Sequence, residues 1–418
     1  MISLDLLRTN PDAYKLAAKN KNREVDIDRI LELDAKVKDL NLQEQALRTE
    51  RNKFAELGKT NPQDARAKGK ELKDKLKQIE DQLGIWNLEL GTLLSFVPNI
   101  PLPEVPVGKD ESSNVEIKKV GQVPDMTKTP KDHLALGKDL NIIDTERGTK
   151  VSGFRGYFLK NEGAVLHIGI LMYVMQKLMK KGYSPIIAPS IAKSFAFFGT
   201  AQFPWGEPEV YKLNTEDAYL SGTAEVPVTS YYANEVIDEK DLPKKFVAFS
   251  PCFRKEIGSY GKDTKGLYRV HEFFKIEQVI LCKNNLDDAK RLHEELQANC
   301  EEILSDFELP YRVVLMCTGD MGEPQIIKYD TETWMPSRKA YGETMSNSIM
   351  GDFQTRRLNI RYKNKDGKLE FCYSLNNTAL ASPRILIALL ENHQQADGSV
   401  VIPEKIRPIC GFDSIKRH

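Results

Sequence analysis

The sequence has no net charge, no long apolar run and no paired cysteine motif. Its 60 Lys and Arg residues balance 60 Asp and Glu residues, so it lacks the positive excess that usually accompanies nucleic-acid binding. No apolar run reaches the ~20 residues of a membrane span, and we therefore expect no membrane partner. The six cysteines lie far apart without a Cys-x-x-Cys pair, which argues against a disulfide framework and against zinc. A reducing, cytoplasmic location is the expectation that follows.

The composition is that of a globular protein with room for more than one domain. Of its 418 residues, 41% are apolar and 29% are charged. The N-terminal stretch mixes both charge signs among its apolar positions, which is unlike a signal peptide. We expect an ordered chain built around a large core.

Two apolar seams predict a long antiparallel helical hairpin within residues 1–97, with a coiled coil at about 27–97. In both seams the spacing alternates between three and four residues, as in a heptad repeat. The first seam is Ile30, Leu33, Val37, Leu40, Glu44, Leu47, Arg51 and Phe54, and the second is Leu72, Leu76, Ile79, Leu83, Trp86, Leu90 and Leu93. Gly58 and the Asn61-Pro62 pair are predicted to end the first helix and turn the chain.

The charge of this hairpin is concentrated near its predicted tip. Residues 48–77 contain ten Lys or Arg against five acidic residues, and the flanking stretches are acidic. The candidate phosphate-binding cations are Arg48, Arg51, Lys53, Lys68, Lys70, Lys73 and Lys75. A long arm with a basic tip suits nucleic-acid binding, whereas a plain coiled coil suits protein oligomerisation, and the arm alone leaves both open.

The remainder of the chain predicts an α+β fold. Four prolines open residues 98–124, which we expect to be a linker because proline blocks helix continuation. Residues 125–418 then mix apolar strands, such as 246–250 and 274–281, with helices such as 286–304. Strands joined by hairpins predict an antiparallel sheet flanked by helices.

One predicted hairpin, at residues 251–278, carries an unusual set of side chains. They are Arg254, Glu256, Arg269, His271, Phe273 and Glu277, on two strands joined by a loop containing Gly258, Gly261, Lys262, Lys265 and Gly266. Alternate residues of a strand share a face, so several of these groups are expected to face the same way. Guanidinium forks suit phosphate oxygens, a flat ring suits a base, and a carboxylate suits an amino group. The alternative is an ordinary amphipathic hairpin with a solvated charged face.

The order of these residues resembles motif 2 of the class II aminoacyl-tRNA synthetases. In that motif an arginine and a nearby acidic residue, here Arg254 and Glu256, precede a loop and the pattern Arg-x-x-x-Phe-x-x-x-Glu. Lys181-Gly182-Tyr183 with Ile186 and Pro189 resembles motif 1, and residues 379–384 resemble motif 3. Within the class, the chain is similar nearly end to end to the seryl-tRNA synthetase family. The segments that carry this likeness are Lys131-Asp132-His133, Lys150-Val151-Ser152-Gly153, Gly199-Thr200 with Gln202 and Pro204, Thr223-Ala224-Glu225, Asp352-Phe353-Gln354 and Arg356-Arg357.

The resemblance implies a class II antiparallel sheet, a coiled-coil arm that grips tRNA, and a homodimer formed through motif 1. It implies an ATP- and Mg²⁺-dependent ligase that converts L-serine to seryl-adenylate and transfers it to the 3′ end of tRNA(Ser). Two alternatives stay open. The chain could be a paralogue that adenylates an amino acid for a non-tRNA acceptor, or a tRNA-binding homologue without catalysis.

The resemblance also implies roles for individual residues. The catalytic set is Arg254, Glu343 and Arg384. The ATP-binding set is Arg254, Lys255, Glu256, Arg269, Val270, His271, Phe273, Glu343, Thr344, Met345, Ser346 and Arg384. The serine-binding set is Thr223, Ala224, Glu225, Arg254, Glu277 and Thr378, and the Mg²⁺ ligands are Glu343 and Ser346. For His271 a purely structural role remains the alternative.

The sequence departs from the family pattern at two of these segments. The family pattern leads us to expect an arginine where Gly342 stands and an asparagine where Ile349 stands. Glycines are commoner at Ala379, Ser382 and Pro383. We therefore expect the surroundings of Glu343 and the backbone before Arg384 to differ from those of other family members.

Overall fold

The computed structural model describes residues 2–57, 62–124, 130–214, 217–257 and 266–417; for residue 57 and for 62–65 only the backbone is described. The chain divides into two compact units, Met1–Ile100 and Pro101–His418. The predicted turn residues Gly58 and Asn61 lie outside the described residues. So do the loop residues Gly258, Gly261, Lys262 and Lys265.

The first unit is helical. Its helices are α1 (Leu4–Thr9), α2 (Pro11–Asn20), α3 (Ile27–Leu57) and α4 (Pro62–Ser95). With 31 and 34 residues, α3 and α4 are each about 45–50 Å long at ~1.5 Å per residue. Arg29 Nε donates to Glu89 at 3.0 Å and Arg48 Nη2 donates to Glu80 at 3.1 Å, so the two helices run antiparallel. The predicted hairpin is confirmed.

Toward the tip, the apolar seam of α3 is less buried than that of α4. The buried seam residues are Ile30, Leu33, Val37, Leu40, Leu72, Leu76, Leu83 and Leu90. Further along α3, Glu44 and Leu47 are only half-buried and Arg51 is exposed. At the end of α4, Leu94 is buried and Leu93 only half-buried. The two polar residues of the α3 seam keep some contact with water, because burying a charged side chain is costly.

The second unit, from Pro101 on, combines sheets and helices. Its strands are β1 (Val115–Val120), β2 (Ile143–Asp144), β3 (Phe158–Leu159), β4 (Ser184–Ile187), β5 (Ile191–Ala192), β6 (Tyr211–Lys212), β7 (Tyr219–Leu220), β8 (Val236–Asp238), β9 (Lys244–Phe253), β10 (Glu272–Cys282), β11 (Tyr311–Leu315), β12 (Ile327–Met335), β13 (Ala340–Gly351), β14 (Arg361–Lys363), β15 (Leu369–Phe371), β16 (Tyr373–Ser382), β17 (Val400–Val401) and β18 (Ser414–Ile415). Its helices are α5 (His133–Asp139), α6 (Thr145–Ser152), α7 (Asn161–Lys180), α8 (Ser194–Gly199), α9 (Glu225–Thr229), α10 (Leu286–Asp306), α11 (Phe353–Leu358), α12 (Arg384–Asn392) and α13 (Arg407–Cys410).

Eight strands form the main sheet, in the order β1-β11-β12-β13-β16-β10-β9-β4. All neighbours are antiparallel except β4, which runs parallel to β9 at one edge. Helices α7, α10 and α12 pack against this sheet, and α10 buries residues at helical spacing, including Leu292, Leu296 and Ile303. The predicted antiparallel sheet flanked by helices is confirmed.

The segment expected to be a linker, 98–124, is not a separate connection. Strand β1 within it pairs antiparallel with β11 and forms one edge of the main sheet. The chain therefore joins the second unit at Pro101, well before residue 125. The prolines stop α4 as expected. The edge strand β1 that follows is exposed at five of its six positions, so it lacks the buried side chains that would distinguish it from a linker in the sequence. Among the described residues, no helix is long and apolar enough to cross a bilayer.

Candidate functional site

The site is a cavity on the face of the main sheet, where β9, β10, β13 and β16 lie side by side and α12 begins. Its lining residues are Arg254, Glu256, Leu267, Tyr268, Arg269, Val270, Phe273, Lys275, Glu343, Thr344, Met345, Ser346, Thr378, Ala381, Ser382, Pro383 and Arg384. All three predicted catalytic residues are thus brought together. So are most of the predicted nucleotide contacts, which lie far apart along the chain.

Arg254 follows the last residue of β9 and turns its side chain across the cavity. Its Nε donates to the carbonyl of Gly222 at 3.2 Å, and its guanidinium carbon lies 5.3 Å from the centroid of the Phe273 ring. A Cβ at Gly222 would come within 3.1 Å of Arg254 Cγ, so the absence of a side chain there leaves room for the arginine. The guanidinium is held between a carbonyl and an aromatic ring in this structure.

Arg384, the first residue of α12, pairs with Glu343 of β13. Its Nη1 lies 3.3 Å from Glu343 Oε2 and donates to the Glu343 carbonyl at 3.1 Å, while its Nε donates to the Tyr268 carbonyl at 3.0 Å. The Glu343 side chain is 46% exposed. Its partial loss of water would raise its pKa, but Arg384, Lys328 and Arg254 hold that pKa below its ordinary range. Glu343 is therefore an ionised carboxylate beside a permanent cation.

Glu256 and Arg269 form a second ion pair at the cavity wall. Arg269 Nη1 donates to Glu256 Oε2 at 3.1 Å, and Arg155 Nη1 lies 4.0 Å from the same oxygen. Both Glu256 and Arg269 lie beyond the strand ends, in the stretches that lead to and from the loop. Strand alternation therefore does not predict that these two side chains meet.

The floor of the cavity beside Phe273 is a buried network around Glu277 of β10. The Glu277 carboxylate accepts from Thr223 Oγ1 at 2.7 and 2.8 Å, from the Ala224 amide, and from Lys275 Nζ at 2.8 Å. Burial would raise the pKa of Glu277, but the Lys275 ammonium and these donors hold it below its ordinary range. Thr378, the cross-strand partner of Glu277 on β16, lines the cavity directly.

Glu225, at the start of α9, lies in a neighbouring polar network. Gln354 Nε2 donates to Glu225 Oε1 at 2.7 Å and to the Thr200 carbonyl at 3.1 Å, while Ser374 Oγ donates to Gln354 Oε1 at 2.8 Å. Burial raises the pKa of Glu225 to about 7, although the Gln354 bond opposes the shift. This carboxyl group lacks a cationic partner within bonding distance in the described residues, and near neutral pH it is balanced between its two protonation states.

Two residues predicted to bind the nucleotide do not line the cavity. Lys255 points the other way, with its Nζ over the Tyr211 ring at 5.7 Å. His271 donates from Nδ1 to the Arg254 carbonyl at 3.0 Å and lines a separate cavity that also contains Tyr211. The geometry therefore does not support these two nucleotide contacts, which stay predictions; Lys255 faces away because it is the neighbour of Arg254 in an extended segment. For His271 the structural role is the one that the geometry supports.

Three cavity residues were missed by the sequence analysis. Lys275 lies two residues from both Phe273 and Glu277 on β10. Because residues two apart on a strand share a face, this spacing could have identified Lys275 as a cavity residue. Tyr268 and Leu267 lie in an irregular stretch without periodicity, and no sequence signal marked them.

Two of the positions that depart from the family pattern have clear structural surroundings. Ile349 is a fully buried core residue, and Ser382 Oγ forms a hydrogen bond with His167 Nδ1 at 2.7 Å.

On the arm, the predicted cations divide into paired and unpaired groups. Arg48 contacts Glu44 and Glu80, and both Lys68 and Lys75 contact Glu71. The exposed cations that have no ion-pair partner among the described residues are Arg51, Lys53, Lys70 and Lys73. The latter group can contact an anionic partner without first breaking an ion pair.

Family models match both units. The model for the seryl-tRNA synthetase N-terminal domain matches residues 1–101, and the model for the class II tRNA synthetase core domain (G, H, P, S and T) matches residues 209–393. The serine--tRNA ligase of Deinococcus radiodurans is 44% identical over 415 residues, covering 98% of both chains.

Solved structures show the same similarity in three dimensions. The seryl-tRNA synthetase of Pyrococcus horikoshii, complexed with ATP, has a TM-score of 0.92 and 36% identity, with 100% of both chains covered. The cytoplasmic serine-tRNA ligase of Naegleria fowleri, in complex with AMP, has a TM-score of 0.86 and 29% identity. It covers 98% of this chain and 96% of its own.

The burial of Glu225 predicts a specific dependence of stability on pH. Because its folded pKa of about 7 lies above the ordinary value of 4.5, the unfolded chain loses this proton first as the pH rises. The resulting cost is absent below about pH 4.5 and complete above about pH 7, at roughly 3 kcal/mol. Without substrate, Glu225→Gln should therefore gain stability relative to the wild type between pH 5 and pH 8.

The measurement is the thermal unfolding midpoint of both proteins at the two pH values. Glu207→Gln, at an exposed glutamate, is the control and should follow the wild type at both. An equal difference between wild type and Glu225→Gln at pH 5 and pH 8 would show that Glu225 is ionised in the folded protein at both.

Proposed function

This chain belongs to the seryl-tRNA synthetase family, and from that premise we propose that it activates L-serine with ATP and charges tRNA(Ser). The first step joins the serine carboxylate to the α-phosphorus of ATP and breaks the bond to pyrophosphate, giving seryl-adenylate. The second transfers the seryl group to the 3′ end of the tRNA and releases AMP. The observation that carries the proposal is the meeting of Arg254, Glu343 and Arg384 in one cavity with Thr378, in a chain that also has the basic arm.

Arg254 is proposed to bind the α-phosphate and the serine carboxylate together. Charge accumulates on the phosphoryl oxygens as the new bond forms, so a fixed cation there stabilises the transition state more than the ground state. Its contacts with Gly222 and Phe273 restrict the guanidinium before substrate arrives. Arg384 is proposed to lie near the γ-phosphate and the adenine, with Phe273 stacking on the base and Glu256 beside its amino group.

The remaining nucleotide contacts are proposed around these groups. Arg269 would bind phosphate oxygens, Val270 would contact the base, and the strand segment from Glu343 to Ser346, with Thr344 and Met345, would support the phosphates. This strand segment and Arg269 line the same cavity, which supports the assignment.

Magnesium fits the donor atoms that the cavity offers. Glu343 supplies an ionised carboxylate and Ser346 a hydroxyl, both hard oxygen ligands, and Mg²⁺ takes its other ligands from water and substrate phosphates. Among the described residues, no group of three or more His, Cys, Asp or Glu side chains could hold a metal ion by itself. When bound, the ion would neutralise part of the phosphate charge.

Serine is proposed to bind over the network of Thr223, Ala224, Glu225, Glu277 and Thr378. The Glu277 carboxylate would attract the ammonium group, and the Thr378 hydroxyl would pair the serine hydroxyl. A site that pairs a hydroxyl rejects an analogue without one, because its own polar groups would lose their partner. Lys275 and Thr223 hold the Glu277 carboxylate in position for this role.

The two alternatives left open by the sequence are less well supported. The exposed cations near the arm tip that have no ion-pair partner among the described residues favour tRNA over a non-tRNA acceptor, because such cations can bind phosphates directly. The paired and oriented charges of the cavity argue against a homologue that binds tRNA without catalysis. We also propose a cytoplasmic location, since all six cysteines are buried unpaired thiols, a state that a reducing compartment maintains.

A homodimer is proposed through helix α7. Its exposed face carries apolar residues at helical spacing, Val165, Ile168, Met172 and Met179, of which Ile168 is 60% exposed. Apolar side chains repeated along one face are typical of a surface that another copy covers. The motif 1 resemblance at the end of this helix supports a second copy as the partner.

Replacing Arg254 should abolish most of the activation step. Arg254→Ala should reduce serine-dependent ATP–pyrophosphate exchange by 10²- to 10³-fold, about 3–4 kcal/mol, as for other transition-state donors. Arg254→Lys should recover little, because an ammonium cannot hold phosphate and carboxylate in a bidentate manner. Arg147→Ala, at an exposed arginine paired with Asp144, is the control. Near-normal exchange in the lysine variant would refute the bidentate role.

Neutralising the unpaired arm cations should separate tRNA charging from serine activation. Lys70→Ala with Lys73→Ala should raise the KM for tRNA(Ser) roughly tenfold and make the salt dependence of binding shallower by up to about 2 in log–log slope. Pyrophosphate exchange should stay within about twofold, because ATP and serine bind in the other unit. The control variant is Lys36→Ala with Lys38→Ala, which should behave like the wild type. Lys36 and Lys38 already pair with Glu32 and Asp34. A parallel loss of exchange would contradict the assigned division of labour.

The dimer is tested by introducing a charge on α7. Sedimentation equilibrium of the wild type at micromolar concentration should give twice the chain mass of 47.5 kDa. Ile168→Glu should give the monomer mass, because an ionised carboxylate is costly to bury at an interface. Ile85→Glu, at an exposed isoleucine of the arm, should remain dimeric. A monomeric wild type, or a dimeric Ile168→Glu, would refute this interface.

A further inference from the structure

Tyr268 is a cavity residue to which none of the motifs assigns a role, and two guanidinium groups lie over its ring. The guanidinium carbon of Arg384 is 4.4 Å from the ring centroid and that of Arg338 is 4.3 Å away. Both distances are well within the ~6 Å range of cation–π attraction. The ring therefore interacts with the arginine that we place beside the nucleotide.

Polar bonds connect the same residues. The Tyr268 carbonyl accepts from Arg384 Nε at 3.0 Å, and the Tyr268 hydroxyl donates to the Glu343 carbonyl at 3.3 Å. Arg384 Nη1 donates to that same Glu343 carbonyl at 3.1 Å. Tyr268 thus contacts Arg384 through its ring and its backbone, and it joins Arg384 to β13.

The position where an arginine was expected, Gly342, provides the space for this ring. A Cβ at Gly342 would lie 3.0 Å from the Tyr268 oxygen and 3.1 Å from its Cε2 atom, closer than ordinary contact. A longer side chain at this position would collide with the ring. In this chain a tyrosine fills that space, and the additional guanidinium over it comes from Arg338.

One buried carboxylate anchors both segments. Glu391 Oε1 lies 2.9 Å from His133 Nδ1, and His133 Nε2 accepts from the amide of Leu267, the neighbour of Tyr268, at 3.1 Å. Glu391 Oε2 accepts from the amide of Ser337, the neighbour of Arg338, at 3.0 Å. Glu391 of α12 is therefore connected to the backbone next to Arg338 directly and to the backbone next to Tyr268 through His133.

We propose that Tyr268 is a positioning residue that orients the guanidinium of Arg384 toward the bound nucleoside triphosphate. The inference rests on the proposed role of Arg384 and extends it to a residue that acts through Arg384. Arg384 is assigned to the γ-phosphate and the base, which are bound before the reaction begins. Loss of its orientation should therefore raise the KM for ATP more than it lowers kcat.

The primary test measures KM and kcat in serine-dependent pyrophosphate exchange. Tyr268→Leu should raise the KM for ATP by roughly tenfold, in line with a desolvated cation–π contact, and leave the KM for serine within about twofold. Tyr268→Phe keeps the ring and should raise the KM for ATP by no more than about threefold. Tyr341→Leu is a matched control, because the Tyr341 ring also lies near two cations, Lys119 and Arg312, but does not line the cavity.

A second variant tests the same contact without deleting the ring. Gly342→Ala should raise the KM for ATP a fewfold by displacing the ring, and it should have no further effect in the Tyr268→Leu background. Equilibrium binding of ATP then tests the connection to Arg384. Tyr268→Leu should change the ATP dissociation constant by less than about twofold in an Arg384→Ala background, because its effect passes through that arginine.

The outcomes separate the two proposals. If Arg384→Ala leaves ATP binding unchanged, the proposed role of Arg384 fails and the inference fails with it. If Arg384→Ala weakens ATP binding but Tyr268→Leu and Gly342→Ala do not, only the positioning role is refuted. If Tyr268→Leu raises the KM for serine and ATP equally, or if Tyr341→Leu has the same effect, the contribution is general to the fold and the inference is likewise refuted.

Discussion

The buried ion pair between Lys275 and Glu277 holds the floor of the cavity together. Their side chains are 6% and 1% exposed, so both charges have lost nearly all of their water. Dehydrating two such charges costs several kcal/mol each, and only good geometry and additional hydrogen bonds offset that cost. Thr223 and the Ala224 amide supply those bonds, which is why the chain preceding α9 must lie against β10.

Two further ion pairs around the cavity involve side chains that are less buried than Lys275 and Glu277. Glu343 pairs with Arg384, and Glu256 pairs with Arg269, so the charged groups that face the substrate site already have partners. Because these charges are oriented before substrate arrives, little reorganisation is needed when negative charge develops on a phosphate. Glu225 is the exception, since its carboxyl group has an amide as its bonding partner and its pKa is raised to about 7.

The two units use charge in different ways. In the second unit, cations and anions are paired inside a cavity lined by sheet residues. On the arm, Lys70 and Lys73 are exposed and without ion-pair partners in the described part of the chain. A chain with a net charge of zero can therefore still present a local basic surface, because salt-dependent binding to phosphates depends on the cations near the contact.

The sequence by itself determined the long helical hairpin, the antiparallel sheet and most of the site's chemistry. Heptad spacing in α3 and α4 and alternation in β10 are local patterns, because each follows from the geometry of one helix or strand. The motif residues Arg254, Glu343 and Arg384 could be recognised by type and order. Only the tertiary structure placed β1 in the main sheet and turned Lys255 and His271 away from the cavity. It also brought Arg384 and Arg338 onto Tyr268, since contacts between irregular segments depend on how the whole chain packs and leave no periodic trace in the sequence.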